Sequence, residues 1–194
     1  MSTPVAPTVL APTVLAPTPG QTVGPFFAYG MPYPGGPELV TPYSPGSVLL
    51  SGRVLDGAGA PVPDAQLEIW QPDAAGTVTH EPGSLRRDGV TFTGFGRAET
   101  DAEGTYRFWT VDPGSIDGAA PFISLIVFAR GLQDRLFSRI YLPEDAAAHA
   151  SDPLLRGLEP DERATLIAER TPAGWLRHDI RLQGERETVF LAFE

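Results

Sequence analysis

Residues 48–76, VLLSGRVLDGAGAPVPDAQLEIWQPDAAG, decide how the rest of the chain is read. Val48, Leu49, Leu50, Val54 and Leu55 favour extended backbone, interrupted only by the small Ser51 and Gly52. Asp56-Gly57-Ala58-Gly59 then reverses the chain, because glycine accepts positive φ and aspartate can hydrogen-bond its own backbone. Pro61 and Pro63 have no N–H to donate, which places them in the connection or on an unpaired edge. Ala65, Leu67, Ile69 and Gln71 alternate with Gln66, Glu68 and Trp70, the period-2 signature of a strand. Asp73-Ala74-Ala75-Gly76 turns the chain again. The stretch therefore reads as a two-strand hairpin. Such a hairpin cannot bury its apolar face alone, so later strands are required to cover it.

Downstream, those strands follow. Residues 77–95 read as a loop, and Gly96 to Thr100 as a strand. Asp101-Ala102-Glu103-Gly104 is a turn, and Thr105 to Val111 alternates up to the stop at Asp112-Pro113-Gly114. Phe122 to Ala129, FISLIVFA, is almost continuously apolar, as expected of a strand inside a sandwich. Arg130 to Asp134 turns the chain and Arg135 to Leu142 returns it. A short helix is expected from Pro153. A longer one is expected over Pro160 to Arg170, with proline at its first position, acids in its first turn and arginine in its last. Trp175 to Leu182 and Glu187 to Phe193 read as a final hairpin around Gln183-Gly184-Glu185. The sum is an all-β sandwich with one or two short helices, a single domain over residues 18–194.

Upstream of the central stretch, residues 18–47 are rich in proline, glycine and aromatics, and read as an extended N-terminal arm lying on a surface. Residues 1–17 repeat APTVL at 6–10 and 11–15, a low-complexity, proline-spaced extension expected to be disordered and lacking a basic signal-peptide region. The 194-residue chain carries a formal charge of −10, which argues against a nucleic-acid partner. All fourteen basic residues are arginine, so any anion contact would be a guanidinium fork. The absence of cysteine excludes disulfides and thiolate metal sites. No apolar run approaches the ~20 residues of a membrane span.

The residues alone show little chemistry. His80, His149 and His178 form no pair at metal-ligand spacing, and each reads as an ordinary surface or core histidine. No nucleophile elbow, phosphate loop or dinucleotide fingerprint is present.

A set of longer motifs adds to this. They are TPGQTVGPF at 18–26, GRVLDGAGAPVPDAQLEIWQPDAAG at 52–76, DAEGTYRF at 101–108, VDPG at 111–114, LIVFARG at 125–131, RIYL at 139–142 and DIRLQGERETVF at 179–190. From about Thr18 to the C-terminus the chain resembles the intradiol ring-cleavage dioxygenases. The strand-turn-strand pattern is common to many sandwiches. The specific part is the Thr-x-Gly-Pro-Phe arm, the Trp-Gln pair and the Phe-Ala-Arg-Gly hairpin together.

The resemblance implies an enzyme that inserts both atoms of O₂ into a catechol ring, using ferric iron held by two tyrosines and two histidines. Carried onto this sequence, the first tyrosine falls on Val78 and the second near Ser115 and Ile116. The two histidines fall on Phe122 and Ser124. None is a ligand, so the resemblance is to the alpha-type chains of the family. It implies no catalytic and no metal-binding residue here, with Fe(III) bound by a partner beta chain. Tyr141 and His178 lie inside strand patterns and read as packing residues. The implied role is to shape the partner's substrate pocket across an interface, with Thr22, Gly24 and Pro25 from the arm and Arg130 from the hairpin. Gly24-Pro25 allows stiff backbone to approach a flat ring, and Arg130 supplies charge for a carboxylate. The implied substrates are protocatechuate and O₂, giving 3-carboxy-cis,cis-muconate in the β-ketoadipate pathway. The implied assembly is a cytoplasmic oligomer of alpha-beta heterodimers, with no nucleic-acid or membrane partner. Two other readings stand beside it. One is a self-sufficient dioxygenase for catechol or hydroxyquinol, against which the missing ligands speak. The other is a non-enzymatic β-sandwich binding module, which has no need of the arm.

Deleting residues 2–16 is expected to leave assembly and turnover unchanged, because the repeat cannot bury a core. A large fall in the melting temperature of the truncated complex would show instead that the repeat is docked.

Overall fold

A computed structural model of the chain describes residues 22–24, 26–81 and 87–193. In chain order the first elements are the one-turn helix α1 (Phe27–Gly30) and strands β1 (Ser47–Leu55), β2 (Gln66–Trp70), β3 (Phe95–Glu99), β4 (Thr105–Val111), β5 (Phe122–Phe128) and β6 (Leu136–Tyr141). Helices α2 (Ala146–Ser151), α3 (Pro153–Arg156) and α4 (Pro160–Ala164) follow. The short strands β7 (Glu169–Arg170), β8 (Leu176–Arg177) and β9 (Ile180–Arg181) close the fold. One sheet runs β4-β1-β8-β7, with β9 also on β1, and the other runs β3-β2-β5-β6. The two bury a common core that includes Leu50, Val54, Leu67, Ile69, Phe108, Ile123, Leu125 and Ile140.

The central stretch is not a hairpin. β1 pairs with β4, whereas β2 pairs with β3 and β5, so the two strands lie in opposite sheets. The turn forms as its residues dictate, with Asp56 accepting from Ala58 N and Ala60 N. The reversed chain then stays beside β1 only as far as Val62, whose N–H bonds the Val54 carbonyl. Pro61 and Pro63 offer no donors to extend the ladder. Asp64, at φ 57°, swings the chain across to the second sheet. There Ala65 N bonds the Thr100 hydroxyl. As an arch rather than a hairpin, the stretch turns the apolar sides of both strands onto one core.

Two further expectations are corrected. The helix over 160–170 ends at Ala164. Leu166 O and Ala168 N bond Tyr141 across the open edge of β6, so sealing that edge wins over continuing the helix. The final hairpin is also absent. β8 and β9 add in parallel to β1, separated by His178-Asp179. Residues 187–193 contribute single bonds, Thr188 N to Arg181 O and Leu191 N to Phe137 O, rather than a ladder. The apolar run of β5 alternates after all. Ile123, Leu125 and Val127 are buried in the core, while Phe122, Ser124, Ile126 and Phe128 are half-buried on the outer face.

Other edges are covered similarly. Arg97 N of β3 bonds Gly36 O, while Trp109 of β4 exchanges bonds with Pro37 and Leu39. Where β8 passes to β9, Gly52 of β1 lies so close that any side chain would collide with the His178 carbonyl oxygen. The buried Tyr106 hydroxyl donates to the same oxygen at 2.6 Å.

The His178 ring is only 4 % exposed, and burial lowers its imidazole to about 4 despite the nearby Asp179. The unfolded chain takes up this proton near the ordinary imidazole value, about 6.5, and the folded chain only near 4. Between the two the unfolded state binds more protons, so stability falls as the pH drops through that window. The loss expected from this group is on the order of 3 kcal/mol. Denaturant titrations from pH 7 to pH 4 should show a shallower fall in His178→Gln than in the parent chain; equal slopes would assign the dependence to other groups.

Candidate functional site

β2 leaves its sheet at a fixed point. Gln71 is buried and fully engaged. Its side-chain amide donates to Val111 O at 2.9 Å and Pro72 O at 3.2 Å, and accepts from the Thr110 hydroxyl at 2.7 Å. Asp73 then builds a tight turn, its carboxylate accepting from Ala75 N and Thr77 N. Gly76 sits at φ 84° with its α-carbon against the Ser115 carbonyl, a conformation and a clearance that a side chain would deny. Gly114 N bonds Asp73 O at 2.8 Å. The loops after β2 and β4 are thus packed backbone to backbone. Arg170 adds an ion pair to Asp112 at 3.1 Å, at the root of the second loop.

This arrangement places Val78, Ile116, Phe122 and Ser124 around one open pocket of about 160 Å³, with Trp70 and Pro72 completing its wall. The positions matched to the four family ligands therefore converge in space. Their chemistry does not suit ferric iron, which calls for anionic oxygen and imidazole donors. The pocket lining holds no tyrosine, histidine, carboxylate or thiol. Among the described residues no cluster of three or more His, Cys, Asp or Glu stands ready for a metal. A second cavity, about 630 Å³ beside α4 and β9, is lined by Arg177, Arg181 and Arg186 together with Asp161, Glu169, Asp179 and Glu185, a mixture with no single preference for anion or cation.

Arg130 lies at the far end of β5. It stands six positions along the chain from Ser124, at most about 20 Å at the rise of extended chain. Its guanidinium is exposed and held by Asp64, with Nη2 to Oδ2 at 2.9 Å and Nε donating to Oδ1 at 3.3 Å. The Thr22 hydroxyl donates to the neighbouring Val23 carbonyl at 3.3 Å. Gly24 O accepts from Phe27 N at the start of α1, and open space surrounds the place of its missing side chain. Pro25 lies outside the described residues, as does the extension 1–17. Among the described residues no bond joins Thr22 or Gly24 to Arg130. The arm is fixed to β3 by Arg97, which donates to Met31 O at 2.8 Å and pairs with Glu68. Phe26 and Tyr29 of the same arm are 79 % and 84 % exposed.

Tyr141 and His178 are both buried and structural. The Tyr141 hydroxyl accepts from Arg139 at 3.0 Å and donates to Asp152 at 3.1 Å, and burial raises its phenol. Sequence reasoning missed Asp64 and Gln71. The only sequence signal for Asp64 is its type, since aspartate tolerates left-handed backbone better than most residues. Gln71 follows the tryptophan of the quoted motif, but nothing in a strand pattern identifies a polar pin.

A family profile described as Dioxygenase matches residues 38–130. The protocatechuate 3,4-dioxygenase alpha chain of Burkholderia cepacia is 41% identical over 191 residues, 89% of this chain and 95% of that one. The protocatechuate 3,4-dioxygenase alpha chain of Pseudomonas putida is 39% identical over 91% of this chain and 96% of its own. Among solved structures, the dioxygenase domain of a carbohydrate-binding fusion protein from Streptomyces sp. SirexAA-E superposes with a TM-score of 0.57 at 26% identity, covering 86% of this chain and 96% of that one.

Because the four converging positions offer no ligating set, the chain isolated after exposure to iron salts is expected to retain far less than one metal ion. Elemental analysis finding about one tightly held iron per chain would overturn that reading.

Proposed function

The chain belongs to the intradiol ring-cleavage dioxygenase family, and from that membership we propose that it is the alpha-type subunit of a protocatechuate-cleaving enzyme whose Fe(III) is carried by a beta chain. One observation carries the proposal. This chain's own pocket offers no ligating set, while an exposed guanidinium, paired with Asp64, stands just past the other end of β5. Among the described residues, an exposed arginine there has no metal centre on its own chain to serve. Set against a partner's pocket, it meets the one feature that separates protocatechuate from catechol, a ring carboxylate. A carboxylate leaving water needs a cation or strong donors to offset its desolvation.

The arm supplies the second half of the reading. Thr22 and Gly24 stand at the head of an arm whose Phe26 and Tyr29 are exposed. Exposed aromatics of this kind are suited to an interface. On this reading Thr22, Gly24 and Pro25 form part of the wall that the ring lies against, and Arg130 orients the ring through its carboxylate. The partner supplies the ring-opening chemistry. Among the described residues no helix is long and apolar enough to cross a membrane.

Arg130→Ala in the reconstituted complex should raise KM for protocatechuate about tenfold, the scale of one charge-assisted hydrogen bond at a partly solvated site. Its effect on catechol should be much smaller, and iron content should stay the same. Equal losses on both substrates would assign Arg130 to the interface or the fold instead.

A further inference from the structure

We propose that Asp64 is a positioning residue, which locks the Nε/Nη2 edge of Arg130 so that the Nη1 end is presented to a substrate carboxylate. The inference rests on the reading of Arg130 just given.

The geometry separates the two edges of the guanidinium. Both bonds to Asp64 use Nε and Nη2, at 3.3 Å and 2.9 Å. Among the described residues Nη1 has no partner. A guanidinium carries five donors in a planar fork, so it can accept one carboxylate from the side and another end-on. With the side edge occupied, the plane and direction of the end-on edge are set before substrate arrives.

The backbone supports a purposeful placement. Asp64 sits at φ 57°, in a region that L residues enter at a cost. Its surroundings hold it there. Thr100 bonds Val62 O and Ala65 N through its hydroxyl, and Thr100 O accepts from Asp64 N at 3.4 Å. The use of the carboxylate is also unlike that of the other turn aspartates. Asp56, Asp73 and Asp101 each bond N–H groups two and four residues on. Asp64 bonds none, and sends its carboxylate to a residue 66 positions away.

Asp64 also brings a negative charge near the arriving one. The Arg130 side chain is 56% exposed and that of Asp64 32%, so that repulsion is partly screened. Freezing a long untethered arginine at the moment of binding is the larger effect. Removal of Asp64 therefore weakens binding rather than strengthening it.

The test uses the assembled alpha-beta enzyme with Asp64→Gly, since glycine adopts positive φ freely and leaves the local backbone undisturbed. KM for protocatechuate should rise ~3- to 10-fold relative to KM for catechol, the scale of re-immobilising one side chain, with the change in KM rather than kcat. Asp64→Asn, which keeps one acceptor oxygen, should fall between the parent and Asp64→Gly. Adding Asp64→Gly to Arg130→Ala should cost nothing more. If Arg130→Ala is selective for protocatechuate while Asp64→Gly leaves the KM ratio unchanged, lowers it or harms both substrates alike, the positioning role is wrong. If Arg130→Ala itself is not selective, the underlying reading of Arg130 fails instead.

Discussion

The hydrogen bond from the buried Tyr106 hydroxyl to the His178 carbonyl, made across the bare backbone of Gly52, is the constraint on which the architecture depends. It joins β4, β1 and the passage from β8 to β9 at one point. β1 carries β4 on one side and the C-terminal strands β8 and β9 on the other. Tyr106 could find no water at this depth, so its O–H has to be satisfied within the fold. The carbonyl it meets belongs to the residue that interrupts β8 and β9. The C-terminal strands are therefore registered against β1 by a side chain of β4. With that sheet fixed, the second sheet packs on it through the shared core.

Several strands were legible because their residues report burial directly. β4 alternates and β2 nearly so, with Tyr106, Phe108, Leu67 and Ile69 buried as the pattern marks, although Gln66 and Thr110 are buried with them. The arch formed by β1 and β2 was not legible. Turn residues say that the chain reverses, but which sheet the next strand joins is a long-range matter. It was decided by Asp64 and by Thr100, 35 residues beyond Ala65. The shortened α4 has the same origin. Local helix signals ran through Arg170, yet the unpaired edge of β6 offered Leu166 and Ala168 better partners. In the candidate site, the residue types at the four matched positions could be read once the resemblance had placed them. Their convergence on one pocket could not, because loops 30 to 40 residues apart meet through glycine backbone that carries no pattern.

The pocket also shows how independent a scaffold can be of the chemistry that its relatives perform on it. Gln71, Asp73, Gly76 and Gly114 hold the two loops by backbone contacts and one amide. None of these contacts requires a metal. The loops therefore hold their place without a ligand set, with Val78, Ile116, Phe122 and Ser124 lining the pocket. Arg130 is equally untouched, since it is placed by β5 and Asp64 from the opposite end of the sheet.

The covered strand edges have a consequence for how this chain meets others. Gly36, Pro37 to Leu39, Leu166 to Ala168 and Leu191 take up backbone groups at the rims of β3, β4 and β6, and β7 is only two residues long. Among the described residues little free ladder is left for a foreign strand to extend. Recognition must then run through side chains and the aromatic arm, whose identity a partner can discriminate, and not through generic main-chain zippering. A copy made in excess of its partner would stick by reversible greasy contacts. It would lack a template from which ordered fibres could grow.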